Sequence, residues 1–175
     1  MSNSPLSIVT RDARLSDAAT IIDFNIRLAE ETEGLRLDPL TLGVGVQALL
    51  MDPNKGRYFV AEVNGDVVGQ IMHTREWSDW RNGDLWWIQS VYVDPAYRGK
   101  GVFRKLMEHV RTLAQRTPSV VGLRLYVERE NEAAQRAYDR LGMKAANYGV
   151  MESIWGNAPI NLWPQGANSG ETKTA

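Results

Sequence analysis

A single-domain α/β fold is predicted by three features of this 175-residue chain. Short segments with apolar side chains at every second position alternate with longer ones whose apolar residues recur every three to four positions, the periods of strand and helix. Asn64-Gly65-Asp66 separates two strand patterns as a tight hairpin does, because Asn and Gly tolerate positive φ. An alternating strand ending at Val93 passes Pro95 into a loop holding Arg98, Gly99, Lys100 and Gly101, and an amphipathic helix follows at once.

In chain order, Leu6 to Val9 reads as a strand. Ser16 is expected to cap a helix that carries Ala18, Ile21, Ile22, Asn25, Leu28 and Ala29 on one side. An acidic loop from Glu30 to Pro39 leads into a second helix, Pro39 to Leu50. Tyr58 to Val63 and Val67 to Met72 form the hairpin strands. A polar, tryptophan-rich loop (Glu76 to Asp84) precedes a strand from Trp86 to Val93. After Gly101, Val102, Phe103, Leu106, Met107, Val110, Leu113 and Ala114 share a helix face with mostly charged residues opposite, so this helix packs on a sheet. Leu123 to Val127 is a strand, Asn131 to Leu141 a helix stopped by Gly142, and Met143 to Trp155 a last strand region. The order is β-α-α-β-β-β-α-β-α-β, with one domain over residues 5–160 and a flexible tail, rich in Gly, Asn, Ser and Thr, over 161–175.

Composition narrows the functions. A net charge of −1 gives no basic field for nucleic acid. Zero cysteines remove disulfides and thiolate sites and fit a reducing, cytoplasmic setting. With two histidines and no H-x-x-x-H spacing, no metal site is expected. No apolar run is long enough to span a membrane, and the N-terminus lacks the pattern of a signal peptide.

Strand, glycine loop and helix N-terminus together can hold a phosphorylated ligand, because the first N–H groups of a helix have no internal partner. A P-loop is excluded, since Lys100 lies between the glycines and no Ser or Thr follows. A dinucleotide fingerprint lacks its third glycine, with Arg104 at that position. The complete pattern V-x-V-x-P-x-x-R-G-x-G-V, from Val91 to Val102, instead resembles the acetyl-CoA motif of the GNAT N-acetyltransferase superfamily. Asn131 to Met143 resembles that family's second signature, N-x-x-A-x-x-x-Y-x-x-x-G-[FM]. Phe103 departs from the first of these motifs, whose R-x-x-G-x-[GA] core runs Arg98, Gly101 and then Phe103, where a small residue is usual.

The resemblance implies a mixed, mostly antiparallel sheet flanked by helices, with acetyl-CoA as co-substrate. Backbone N–H groups of Arg98, Gly99, Lys100, Gly101, Val102 and Phe103 would cradle the pyrophosphate. Exposed backbone at Val91, Tyr92 and Val93 would bond the pantetheine arm and polarise the acetyl carbonyl. Asn131 would contact the arm, and Tyr138 would sit near the sulfur as proton donor.

Acetyl transfer also needs a neutral amine. A lysine-like amine is neutral about once in ~2,500 molecules at pH 7, a cost of about 4.6 kcal/mol that calls for a base or a desolvating site. In diamine acetyltransferases, which the chain resembles in the strand before the loop, a glutamate stands where this chain has Gln89. Glutamine can orient an amine or a water and cannot take its proton. Glu76, Asp79 and Asp84 are the remaining carboxylates near that strand. Glu30, Glu31 and Glu33 would draw a cationic amine to the acceptor side. Trp86, with Trp77, Trp80 and Trp87, would wall that side or close a homodimer interface. The expected function is acetyl transfer to a primary amine of a small, cationic molecule. A protein lysine or N-terminal acceptor, a catalytically silent acyl-CoA sensor and a longer acyl donor stay open.

Overall fold

The chain runs β1 (Val9–Asp12), α1 (Ala18–Glu33), α2 (Pro39–Met51), β2 (Arg57–Val63), β3 (Asp66–Ser78), β4 (Gly83–Val93), α3 (Val102–Arg116), β5 (Val120–Leu125) and α4 (Glu132–Arg140). This is a computed structural model, describing residues 6–127, 131–147, 149–151 and 153. The strands form one sheet in the order β1-β2-β3-β4-β5. The first four are antiparallel, and β5 lies parallel to β4 after the crossover through α3.

Period-2 alternation sends the strand side chains to two separate cores. On one face Phe59, Ala61, Ile71, Trp86 and Ile88 pack against Val102, Leu106, Met107 and Val110 of α3. On the other, Tyr58, Val60 and Met72 meet Ile21 of α1 and Val46 of α2. Asn64 and Gly65 take positive φ (54° and 90°) and close the β2–β3 hairpin as the sequence predicts.

Five boundaries differ from the sequence reading, one of them that of β5, which runs Val120–Leu125 where Leu123 to Val127 is expected. The first strand starts at Val9, since Arg11, charged and turn-like in sequence, is held within the sheet by Asp17 and Glu62. Ser16 caps nothing. Leu15–Asp17 is a 3₁₀ turn, in which the Asp17 carboxylate accepts the Arg14 N–H at 2.6 Å before α1 begins at Ala18. The expected loop from Glu76 to Asp84 is instead the end of the β3–β4 hairpin, with Trp77 paired to Asp84 and Ser78 to Gly83. Both faces of that hairpin end carry polar or exposed residues, so no apolar alternation marks it. Finally, the described residues between Met143 and Ser153 form no strand, while Trp155 and the segment 161–175 lie outside the described residues.

A close approach enters β2. Gly56 has φ of 149°, and a Cβ there would lie 2.3 Å from the His73 carbonyl oxygen. Gly56→Ala is therefore expected to cost about 2 kcal/mol or more, read as a lowered midpoint in urea unfolding.

Candidate active site

The sheet opens at β4. Gly69 pairs with Val93 and Gln70 with Tyr92, yet Met72 pairs with Gln89, so β4 carries one extra residue opposite Ile71. Ser90 absorbs it with φ of 49°, the geometry of a β-bulge. Pairing of β5 with β4 stops at Ile88–Leu125. From Gln89 to Val93 that side of the β4 backbone has no strand partner among the described residues.

A buried polar network holds the bulge from beneath. Gln70, fully buried, donates from Nε2 to Asn25 Oδ1 (3.0 Å) and to the Ser90 carbonyl (3.2 Å). Asn25 Nδ2 donates to the Tyr58 hydroxyl (3.0 Å), and burial pushes the Tyr58 phenol above its ordinary pKa. Residues far apart in sequence thus fix one strained position through the Gln70 amide N–H groups, while Gln70 Oε1 is buried without a partner among the described residues.

Beyond β4 the chain turns through Gly99 (φ 73°) and Gly101 (φ 89°) into α3. Lys105 N–H is the first to bond back, to the Gly101 carbonyl at 3.0 Å. The N–H groups of Val102, Phe103 and Arg104 at the positive end of the helix dipole are left for another acceptor. No atom lies within 4 Å of where a Gly99 Cβ would stand, so the loop is open to an incoming group.

The Arg98 side chain is committed within the protein. It donates from Nε to the Val93 carbonyl (2.9 Å) and from Nη2 to Glu31 (2.6 Å), with its guanidinium 5.3 Å from the Tyr92 ring centroid. Tyr92 OH donates to the other Glu31 oxygen at 2.8 Å. Burial works to raise Glu31, but the bonds from Arg98 and Tyr92 prevail and hold its carboxyl below the usual range. Glu31 therefore fastens α1 to the loop, and both its oxygens are occupied. Lys100, exposed, lies 5.5 Å from the Tyr97 ring.

On α4, Asn131 is the helix cap, its Oδ1 accepting the Ala134 N–H at 3.0 Å. Tyr138 is partly buried and packs edge-on against Phe103, with centroids 5.5 Å apart. The bulky Phe103 thus turns from the loop toward α4. Burial raises the Tyr138 phenol, which makes no hydrogen bond with a described residue.

On the α1/α2 face lies a cavity of about 480 Å³, reaching Gln89 and Ser90 at the bulge. Leucines of α1, α2 and the intervening loop line it, with Asn25, Tyr58, Met72 and Glu33. Gln89 Nε2 donates to Thr74 Oγ1 at 2.9 Å.

Residues 24–143, more than half of the chain, match the acetyltransferase (GNAT) family. The chain belongs to the GNAT acetyltransferase family. The bulged β4, the gap before β5 and the glycine-framed start of α3 all lie within the matched residues, and the family generally uses acetyl-CoA. Among solved structures, this acetyltransferase resembles a possible acetyltransferase from Clostridium difficile 630. The two are 49% identical, with 85% of this chain and 97% of that one covered at a TM-score of 0.80. A ribosomal-protein-alanine N-acetyltransferase from Brucella melitensis biovar Abortus 2308 shares the fold at 19% identity. There the coverage is 86% and 100%, with a TM-score of 0.68. An uncharacterized N-acetyltransferase of Methanocaldococcus jannaschii is 31% identical over 96 residues, which are 54% of this chain and 42% of that one. The chain thus spans less than half of that curated relative.

Several expected site residues of the acetyltransferase sit elsewhere. Trp86 is 3% exposed and stacks on His73 at 3.9 Å between centroids, deep on the α3 face, so it walls no ligand site. Glu76 receives Arg124 at 2.9 Å and the Trp87 indole N–H, a closed cluster. Its ladder partner Leu85 lies five residues before Ser90, roughly 17 Å along the strand. Glu76 is therefore spoken for as an ion-pair partner. Glu30 is exposed and does not line the cavity, whereas Glu33 does. Gln70, Asn25, Tyr58 and Ser90 were not singled out together by the sequence, and only the contradiction of a polar Gln70 inside an apolar strand hints at them. Among the described residues no helix is long and apolar enough to cross a membrane.

Proposed function

We propose that this enzyme moves the acetyl group of acetyl-CoA directly to a primary amine of a small molecule that is cationic in solution. One observation carries the reading: the edge of β4 that has no strand partner among the described residues joins Gln89 and Ser90, on the lining of the cavity under α1 and α2, to the loop that opens α3. A thioester bound along that edge would meet an amine rising from the cavity.

In this reading the N–H groups from Gly99 to Phe103 take the pyrophosphate, helped by the helix dipole and by Lys100. Arg98 and Glu31 keep that loop in shape. The backbone groups between Val91 and Val93 that point away from β3 hold the pantetheine arm, the Val93 carbonyl being already taken by Arg98, and an N–H group among them favours the carbonyl oxygen as charge gathers on it. Asn131, with its oxygen engaged as a cap, retains its side-chain N–H groups for the arm. The amine nitrogen bonds to the acetyl carbon and the carbon–sulfur bond breaks. Tyr138 gives the departing sulfur its proton and is reprotonated by the second proton that the nitrogen sheds as it becomes an amide. Gln89 orients the amine, and Glu33, the carboxylate on the cavity lining, draws the ammonium in and passes its proton to solvent.

The test is release of free CoA thiol from acetyl-CoA over a panel of small amines and a peptide library. Turnover of small amines supports the reading. Turnover of peptides alone replaces the acceptor, and tight binding of acetyl-CoA without any turnover replaces the enzyme with a sensor. The bulge enters the same assay. Gln70→Met is expected to lower kcat/KM at least about tenfold, because Ser90 loses its anchor, while a circular-dichroism melt stays above assay temperature.

A further inference from the structure

The cavity says more about the acceptor than its charge. Its walls are Leu28 of α1, Leu42, Val46 and Leu49 of α2, Met72 of β3 and Leu37 of the connecting loop. Most of its polar groups are already engaged. Asn25 uses Oδ1 for Gln70 and Nδ2 for Tyr58, and Gln89 Nε2 is bonded to Thr74. Glu33 is the one charged residue of the lining, among the described residues. Glu31, which the sequence would count with it, has both oxygens on Arg98 and Tyr92. The lining can thus neutralise one cation at Glu33, and apart from Asn25, Tyr58, Gln89, Ser90 and Gly45 its other residues are apolar.

We propose that the acceptor is a primary amine borne on an apolar aliphatic or aryl group, and that the cavity selects against polyamines. This rests on the acetyl-transfer reading above. An alkyl or phenylalkyl chain would fill the cavity and release water from Leu42, Val46, Leu49 and Met72. A spermidine-like chain would bring an internal ammonium among leucines with no second carboxylate to meet it. The carboxylates that suggest polycation binding in the sequence do not enter the cavity as a group.

The experiment measures kcat/KM for propylamine, butylamine, pentylamine, hexylamine and 2-phenylethylamine beside putrescine and spermidine, with acetyl-CoA at saturation. Expected is a rise of up to about fourfold per added methylene until the cavity is full. Hexylamine or phenylethylamine should exceed spermidine at least tenfold. Polyamines turned over equally or better would overturn the inference and leave the acetyl-transfer reading standing. If no amine in any class is acetylated, that reading falls and the inference with it. A variant places the determinant. Leu42→Glu, at a partly buried wall position, should bring the hexylamine-to-spermidine ratio down at least tenfold, and Leu49→Glu serves if the first fails to fold. An unchanged ratio in a folded variant would overturn the assignment to this cavity.

Discussion

Tyr138→Phe is expected to lower kcat for acetyl transfer by about a hundredfold or more, with acetyl-CoA affinity changed no more than about threefold. The ring packs edge-on against Phe103, in the first turn of α3 beside the glycine loop. Phenylalanine keeps that packing, so fold and loop should persist. The change removes a hydroxyl that bonds to no described residue and whose proton burial makes harder to lose. Such a phenol is protonated at neutral pH and can serve a sulfur that acquires charge only as the carbon–sulfur bond breaks. An interaction made in the transition state alone appears in kcat and spares ground-state binding. Single-turnover kinetics with calorimetry of acetyl-CoA binding would separate the two. Equal losses in both would make Tyr138 a packing residue, and unchanged turnover would move the proton donor elsewhere.

What the sequence makes legible follows the range of the interactions involved. The Asn64-Gly65 hairpin, the helix from Val102 and the caps of α4 are decided by neighbours within a few residues, and all appear where expected. The glycine loop belongs with them, because positive φ at Gly99 and Gly101 is local chemistry. The support of the bulge is different. Gln70 and Asn25 are 45 positions apart and Gln70 and Ser90 are 20 apart, so no window along the chain contains that network. Face assignment fails for a related reason. Alternation tells that Trp86 and Trp87 point opposite ways, without telling which core each meets, and Trp86 goes to the α3 side against His73. The acidic run shows the same limit. Composition counts Glu30, Glu31 and Glu33 as a cluster, whereas tertiary pairing spends Glu31 on Arg98 and leaves Glu33 alone at the cavity.

Acid should destabilise this protein in a window set by His73. The imidazole is fully buried between Phe59 and Trp86, and its pKa is lowered to about 4. Desolvation is the main cause, with Arg57 and Arg75 adding to it and a bond to the Thr74 carbonyl opposing it. Nδ1 lies 3.3 Å from that carbonyl, which can only accept, so Nδ1 carries the proton and Nε2 is left with no partner among the described residues. Unfolded, the same ring titrates near its model value of 6.5. Between about pH 6.5 and 4 the unfolded chain therefore binds a proton that the folded chain refuses, and folding stability falls as pH falls. The full loss is about 3 kcal/mol, at about 1.4 kcal/mol per pH unit, a large share of a typical 5–15 kcal/mol. His109 is lowered as well, chiefly by burial, and works in the same direction. His73→Phe keeps an aromatic ring between Phe59 and Trp86 and removes the unpartnered nitrogen. It should leave stability at pH 7.5 unchanged or raised and flatten the decline between pH 6.5 and 4. His109→Gln is the control and should keep most of the slope. Urea unfolding at half-unit pH steps reads all three proteins, and a slope that survives in His73→Phe would assign the acid sensitivity to other groups.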